Sequence, residues 1–324
     1  MAIGRAGRPG RDVAGPEPLR TADIAPLNDV FSDAFTERYR RDGMVGVRVP
    51  HLNPLIWRYA IEDARGGAMG WRDERGQLIA FNVAHLSGRE GWMGPLAVKP
   101  EWQGLGLGRT VVEAGIRWLE DAEAQTIGLE TMPRTMDNIG FYSAIGFVPG
   151  RLTITVTLDA AAATHGATLL GQLGAAARES ALDEAASLST ALVPGVEFRR
   201  EMRLTLELGV GDAVLLHDRG TLVGFALCHV VPLVEGRGRE ELRVLKLALA
   251  DAGHADAMFA AIADYAWRAG CRRLAARVQG EYDALYRRMI QLGGRVRWTD
   301  LRMALARAPE RLPARGVLLS NWEI

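Results

Sequence analysis

The segment RGQLIAFNVAHL at residues 75–86 returns as RGTLVGFALCHV at residues 219–230. Arg75/Arg219, Gly76/Gly220, Leu78/Leu222, Phe81/Phe225 and His85/His229 fall in step, and Glu74 or Asp218 precedes each copy. Arg-Gly at a turn, with alternating side chains after it, reads as a two-stranded hairpin. A repeat of this kind constrains the fold strongly, because each copy must be a buildable unit. The segments downstream agree in order. GPLAV (94–98) and LKLAL (245–249) are short buried-strand runs. Each precedes a helix, a strand (TIGLETM, 126–132; RRLAARV, 272–278), a second helix and a closing strand (LTITVTL, 152–158; WTDLRMAL, 298–305). This order predicts an α+β fold of two tandem units, each a twisted, mostly antiparallel sheet flanked by helices.

The chain then divides into a flexible Gly/Pro/Arg-rich tail (1–19), a first unit (20–158), an Ala/Gly-rich linker (159–174), a second unit (175–308) and a C-terminal tail (309–324). The last tail carries GVLLSNWEI, too apolar to hang free, and is expected to dock on a sheet edge or between the units. A length of 324 residues suits two domains. Apolar residues at 48% and charged residues at 24% describe a globular chain. Lys+Arg and Asp+Glu are both 39. That balance argues against nucleic acid or a membrane surface as partner. Cys228 and Cys271 sit in apolar surroundings and no Cys/His cluster exists, so neither a disulfide framework nor a metal site is expected. No signal-peptide core and no apolar run of ~18 residues is present, and the expectation is a cytoplasmic, bacterial-type protein.

Chemistry concentrates in VKPEWQGLGLGRTVVEAGIRWLE, residues 98–120, where Gly104, Gly106 and Gly108 stand at the mouth of an amphipathic helix. The first amides of a helix lack internal partners and carry partial positive charge, which makes them an anion site if the backbone can approach closely. Hydrogen bonds to a charged group contribute about 1.5–3 kcal/mol each, against about 1 kcal/mol lost per helical glycine. The glycines are therefore expected to serve an anion, with Arg109 and Thr110 adding donors. A dinucleotide fingerprint fails for want of the acidic ribose-binding residue, and a Walker loop for want of GK[ST].

Gln103-Gly104-Leu105-Gly106-Leu107-Gly108 resembles the Gln/Arg-x-x-Gly-x-Gly/Ala loop of the GCN5-related N-acetyltransferase (GNAT) superfamily. GPLAVKPEW is similar to that family's fourth strand and its lead into the loop, and Phe141-Tyr142-Ser143-Ala144-Ile145-Gly146-Phe147 to its Phe-Tyr-x-x-x-Gly-Phe segment. The resemblance covers most of the first unit. It implies that acetyl-CoA is the donor, with its pyrophosphate on the amides of Gln103 to Thr110. Its pantetheine would pair with Leu96, Ala97 and Val98, one of whose amides would polarise the thioester carbonyl. Tyr142 would protonate the leaving thiolate. Thr135, where many members carry Asn, and Asn138 would also touch the cofactor.

GWMGPLAV, read as the fourth strand, has no ionisable side chain, so a base must come from elsewhere. Glu130 is the first candidate, with a salt-bridged strand carboxylate as the alternative reading. His85 is the second, although its repetition as His229 favours a shared structural role. Trp57, Trp92 and Arg134 are candidates for acceptor binding in a mixed aromatic and polar cleft without an acidic wall. In the second unit His254, Ala257 and Phe259 replace Gln103, Gly106 and Gly108, Asp256 would stand among the phosphates, and Ile290 lies opposite Tyr142. That unit is expected to keep the fold without the chemistry. The sequence thus supports direct acetyl transfer to a primary amine of a small molecule or peptide, by a monomer or weak homodimer. A catalytically weak acyl-CoA-binding sensor or interaction module is the alternative.

Overall fold

The computed structural model describes residues 12–163 and 166–322. The first unit runs β1 (Val13–Pro18), α1 (Ile24–Arg41), α2 (Pro54–Ala64), β2 (Ala68–Asp73), β3 (Leu78–Ser87), β4 (Glu90–Val98), α3 (Leu107–Asp121), β5 (Thr126–Thr131), α4 (Met136–Ser143) and β6 (Phe147–Asp159). The second repeats that order with β7 (Thr168–Leu169), α5 (Ala175–Leu192), α6 (Arg199–Glu207), β8 (Gly211–Asp218), β9 (Thr221–His229), β10 (Glu241–Leu249), α7 (Ala255–Arg268), β11 (Arg273–Gln279), α8 (Asp283–Gln291) and β12 (Arg295–Leu305). A last strand, β13 (Val317–Ser320), follows.

Helices cover both faces of the sheet, which explains why β3 is buried along almost its whole length instead of alternating. On one face α1 and α2 pack Leu27, Phe31, Trp57 and Ile61 against Phe81 and Val83. On the other, α3 presents Val111, Val112, Ile116 and Leu119, an apolar stripe at helical spacing. Each such side chain contributes roughly 1.5–3 kcal/mol on burial. Gly115 brings α3 close: a Cβ there would meet Asn82 Nδ2 at 2.3 Å and Met93 Sδ at 2.6 Å.

The strands form one sheet in the order β1-β2-β3-β4-β5-β12-β6-β11-β10-β9-β8-β7, with β13 added on β10. Only β4/β5 and β10/β11 pair in parallel among the described strands. The closing strands are exchanged. β12 of the second unit pairs with β5 of the first, and β6 of the first pairs with β11 of the second. The two exchanged strands also pair antiparallel with each other from Thr157↔Arg295 to Phe147↔Leu305.

The units follow one another along the chain, with β6 closing the first at Asp159 and α5 beginning at Ala175, but each lends its closing strand to the other's part of the sheet. Part of the expected N-terminal tail is strand β1 on the edge of β2, while residues 1–11 lie outside the described residues. The expected linker contains β7, paired with β8. Both are short edge strands opening their unit. The C-terminal tail runs antiparallel to β10, from Lys246↔Ser320 to Leu249↔Val317.

Candidate functional site

The parallel ladder between β4 and β5 covers only Glu90↔Thr126 to Met93↔Leu129. At that point β4 bulges. Asn82 pairs with Leu96 and Ala84 with Met93, so Gly94 and Pro95 together oppose Val83. A bulge bends its strand and raises the twist, and beyond it β4 and β5 separate. The gap is a cavity of about 650 Å3, lined among others by Met93 to Val98, Gly104, Gly106, Asn138, Phe141 and Tyr142.

Strand alternation decides which β4 groups face this gap. The amide of Lys99 donates to Ile79 O on β3. With a period of two, Ala97 also turns its main chain toward β3, and Leu96 and Val98 turn theirs toward the gap. Val98 O already accepts from Gln103 Nε2 at 2.8 Å. The expected role of Ala97 is thus corrected: the main-chain groups left for a ligand are those of Leu96 and the Val98 amide.

The glycine loop closes one end. Gly104 and Gly106 have φ of +74° and +89°, and a Cβ on either would meet nothing within 4 Å. Positive φ makes glycine the favoured residue, and the open space in front of the backbone suits a close ligand. Gly106 is the N-cap of α3. The amides of Gln103, Arg109 and Thr110 already donate to Pro100 O and Gly106 O. The expected run from Gln103 to Thr110 therefore contracts to the amides of residues 104–108. The Gln103 side chain instead ties the loop to the end of β4. The side chain of Leu105 is exposed and that of Leu107 is in the core, so both contribute main chain only. Arg109 and Gly108 line the cavity; Thr110 does not.

Tyr142 projects from α4 into the gap, 7% exposed and packed against Phe141 and Phe147. Burial pushes its phenol up to about 12, so it holds its proton across the ordinary pH range. Asn138 also lines the cavity. Thr135 does not, which corrects its expected cofactor contact: it is buried, and its hydroxyl donates to Asp42 at the end of α1. Asp42 is in turn paired with Arg38. These bonds fasten α1 to the start of α4. With them α1 brings Phe35, Arg38 and Arg41 to the cavity wall, residues that no sequence pattern marks.

A second cavity of about 270 Å3 shares Phe35, Met93, Gly94, Pro95, Glu130, Met132 and Asp300 with the first. Trp92 lines it, with the Arg302 guanidinium 3.7 Å over its ring. Glu130 lines both cavities but is no base. Arg277 and Arg302 bond its two oxygens at 2.6 and 2.9 Å, and Thr153 donates at 2.5 Å. Burial alone would raise this carboxyl; the two guanidiniums override that and hold it at about 2. Trp57 is fully buried in the first unit's core, its indole donating to Asn28 at 2.6 Å, and cannot touch an acceptor. Arg134 is exposed and lines neither cavity. His85 is buried on Asp63 and stacked against Trp322, and its repeat His229 is buried against Thr205 and Tyr59. Both histidines serve the contact between units. The expected absence of an acidic wall is also corrected, because Asp300 arrives on the exchanged strand β12.

In the second unit β10 bulges at the matching place, between Val244 and Lys246. Its ladder with β11 likewise stops early, at Val244↔Ala276. The gap beyond is filled by β13, whose Val317, Leu318 and Leu319 are buried. Tyr282, at the start of α8, accepts from and donates to the main chain of Leu318. At the start of α7, Asp256 pairs with Arg288 at 2.5 Å. Cys228 and Cys271 are buried free thiols. Among the described residues no group of His, Cys, Asp and Glu could hold a metal ion, and no helix is long and apolar enough to cross a membrane.

Comparison with known proteins places these features. The profile of the "Acetyltransferase (GNAT) family" matches residues 27–147. An uncharacterized N-acetyltransferase, ycf52, of Pyropia yezoensis is 33% identical over 78 residues, 24% of this chain; the match spans 43% of that relative's length. Among solved structures, a putative acetyltransferase of Pyrococcus horikoshii superposes with a TM-score of 0.65 at 16% identity, covering 96% of this chain and 95% of that one. A tandem GNAT protein from the clavulanic acid biosynthesis pathway superposes with a TM-score of 0.58 at 12% identity, covering 93% and 100%. At such identities the superpositions establish the tandem fold.

Proposed function

We propose that this chain, a member of the acetyltransferase (GNAT) family with two tandem units, is an N-acetyltransferase that moves an acetyl group from acetyl-CoA directly to a primary amine. The observation that carries this reading is the contrast between the two gaps. In the second unit the gap holds an extended segment of the chain itself, which pairs with β10. In the first unit the equivalent gap is lined by unpaired strand and loop amides, so its extended occupant must come from outside.

Several features of the first unit support acetyl-CoA as the donor. The amides of residues 104–108 and the open space before Gly104 and Gly106 suit a pyrophosphate. Leu96 and Val98 offer the main-chain groups that an extended amide chain needs. Acetyl-CoA supplies the activated acyl group as a thioester. The Leu96 amide, held by the sheet, stands ready to stabilise charge on an acyl oxygen. Tyr142 Oη, protonated throughout the working range, gives its proton to the departing thiolate, and the proton that the acylated nitrogen sheds restores the phenol. Asp256, paired with Arg288 where the first unit has its glycines, leaves the second unit without an anion site. One acting chain suffices for this reading, and two buried free thiols suit a reducing cytoplasm.

A thermal-shift titration with acetyl-CoA, CoA and ATP tests the site. Stabilisation by the two CoA ligands and not by ATP, lost in Gly106→Asp, is expected. The absence of any shift with CoA ligands would overturn the reading. A sensor without catalysis is favoured by one observation, the ionised state in which Glu130 is locked. It would show CoA binding with no turnover in the wild type.

A further inference from the structure

We propose that Trp322, at the end of the C-terminal tail, is the end wall of the first unit's acceptor cavity and limits the size of the acceptor that can enter. The inference rests on the reading above, with the smaller cavity as the acceptor site, and adds a specificity-determining residue. That cavity adjoins the larger one at Met93 to Pro95. Phe35, Tyr39, Trp92, Trp298 and Trp322 give it aromatic walls. Its charged lining cancels, because Glu130 and Asp300 are matched by Arg277 and Arg302 in ion pairs. With no net sign to the lining, discrimination between acceptors falls to shape.

The tail reaches this wall from the second unit's gap on a fixed backbone. The Asn321 amide donates to Leu245 O at 2.9 Å, and its side chain donates to Arg277 O at 3.0 Å and accepts from Gln279 at 2.9 Å. One residue earlier, Arg302 donates to Ser320 O at 3.2 Å and Lys246 to Ser320 Oγ at 3.1 Å. Arg277 and Arg302 themselves line the cavity, so tail and wall are built together. Both units hold the Trp322 ring. It stacks on His85 of β3, with centroids 4.1 Å apart and planes 9° apart, and Lys246 Nζ of β10 lies 3.5 Å from its centroid. Both partners are buried. Swinging the indole aside would strip a buried ammonium of its π face, which is costly away from water. At about 270 Å3, and with about 30 Å3 for each water-sized group, the cavity holds on the order of ten non-hydrogen atoms. That is room for a single ring on a short amine arm; a further ring needs the space that the indole fills.

The experiment is isothermal titration of the full chain with phenethylamine and with biphenylethylamine, each with and without saturating CoA. CoA itself is titrated first. The two amines share their head group, so the ratio of their affinities reads the body alone. The wild type is expected to prefer phenethylamine at least about 10-fold. Trp322→Ala should reverse that preference by gaining affinity for biphenylethylamine, with CoA affinity unchanged. A general loosening of the fold would instead weaken both amines and strengthen neither. If the alanine variant does not fold, Trp322→Leu takes its place, and its ratio should move toward the larger amine. If CoA binds and the folded variant gains nothing for biphenylethylamine, the inference falls and the acetyltransferase reading stands. If CoA does not bind, that reading falls, while a reversed preference measured without CoA would still support Trp322 as the wall.

Discussion

Tyr142 has a phenol that keeps its proton because its surroundings are apolar, and in the proposed mechanism that proton goes to the leaving thiolate. Tyr142→Phe keeps the ring packing against Phe141 and Phe147 and removes only the hydroxyl. The expected result is a loss of about 10²–10⁴-fold in kcat with unchanged acetyl-CoA affinity, read by steady-state kinetics beside titration. A variant with wild-type kcat would remove Tyr142 from the mechanism. Glu130 behaves oppositely. Its folded value near 2 lies below the ordinary 4.5, so the unfolded chain binds more protons between those values. Its contribution to stability is complete above about pH 4.5 and is lost as pH falls toward 2. Glu130→Gln should cost about 3–5 kcal/mol at pH 7, because two buried guanidiniums lose a partner. Denaturation at pH 7 and pH 3 should show the gap to wild type narrowing in acid; a gap independent of pH contradicts the ion-pair role. Sequence placed Glu130, Trp92, Asn138 and the glycines at the site. It could not show that two arginines, 147 and 172 residues away, neutralise Glu130, nor that Trp57 points into the core.

Among the elements, β13 acts as the second unit's own ligand. Leu319 is fully buried in its gap. Leu319→Ala should cost about 2–5 kcal/mol of stability while leaving acetyl-CoA affinity in the first unit unchanged, as followed by chemical denaturation and titration. A loss of CoA binding in a folded variant would mean that the gaps are not independent. The hairpins and α3 were legible because their apolar periods are long and regular. The second hairpin turns at Arg219-Gly220, both with positive φ, as a tight two-residue turn requires. Strand β1 was not legible: VAGPEP contains two prolines and no buried residue, the pattern of a bare edge. The pairing partner of β6 was hidden for another reason. β6 and β12 have equivalent places in the repeat, so pattern alone cannot tell each strand's own unit from the other.

For the whole molecule, strand exchange removes any cut that leaves two complete sheets. Calorimetry should therefore record one cooperative transition, and residues 12–163 expressed alone should fail to fold, lacking β12 beside β5. Two resolved transitions would contradict the coupling. Through the exchange the second unit, its own gap occupied, completes the first unit's sheet and lines its cavity with Asp300. The central claim is that one gap is open to acetyl-CoA and the other is filled. Calorimetric titration of the full chain with acetyl-CoA measures this directly. One molecule bound per chain, abolished by Gly106→Asp, is the predicted result. Two per chain, or binding that survives Gly106→Asp, would contradict it.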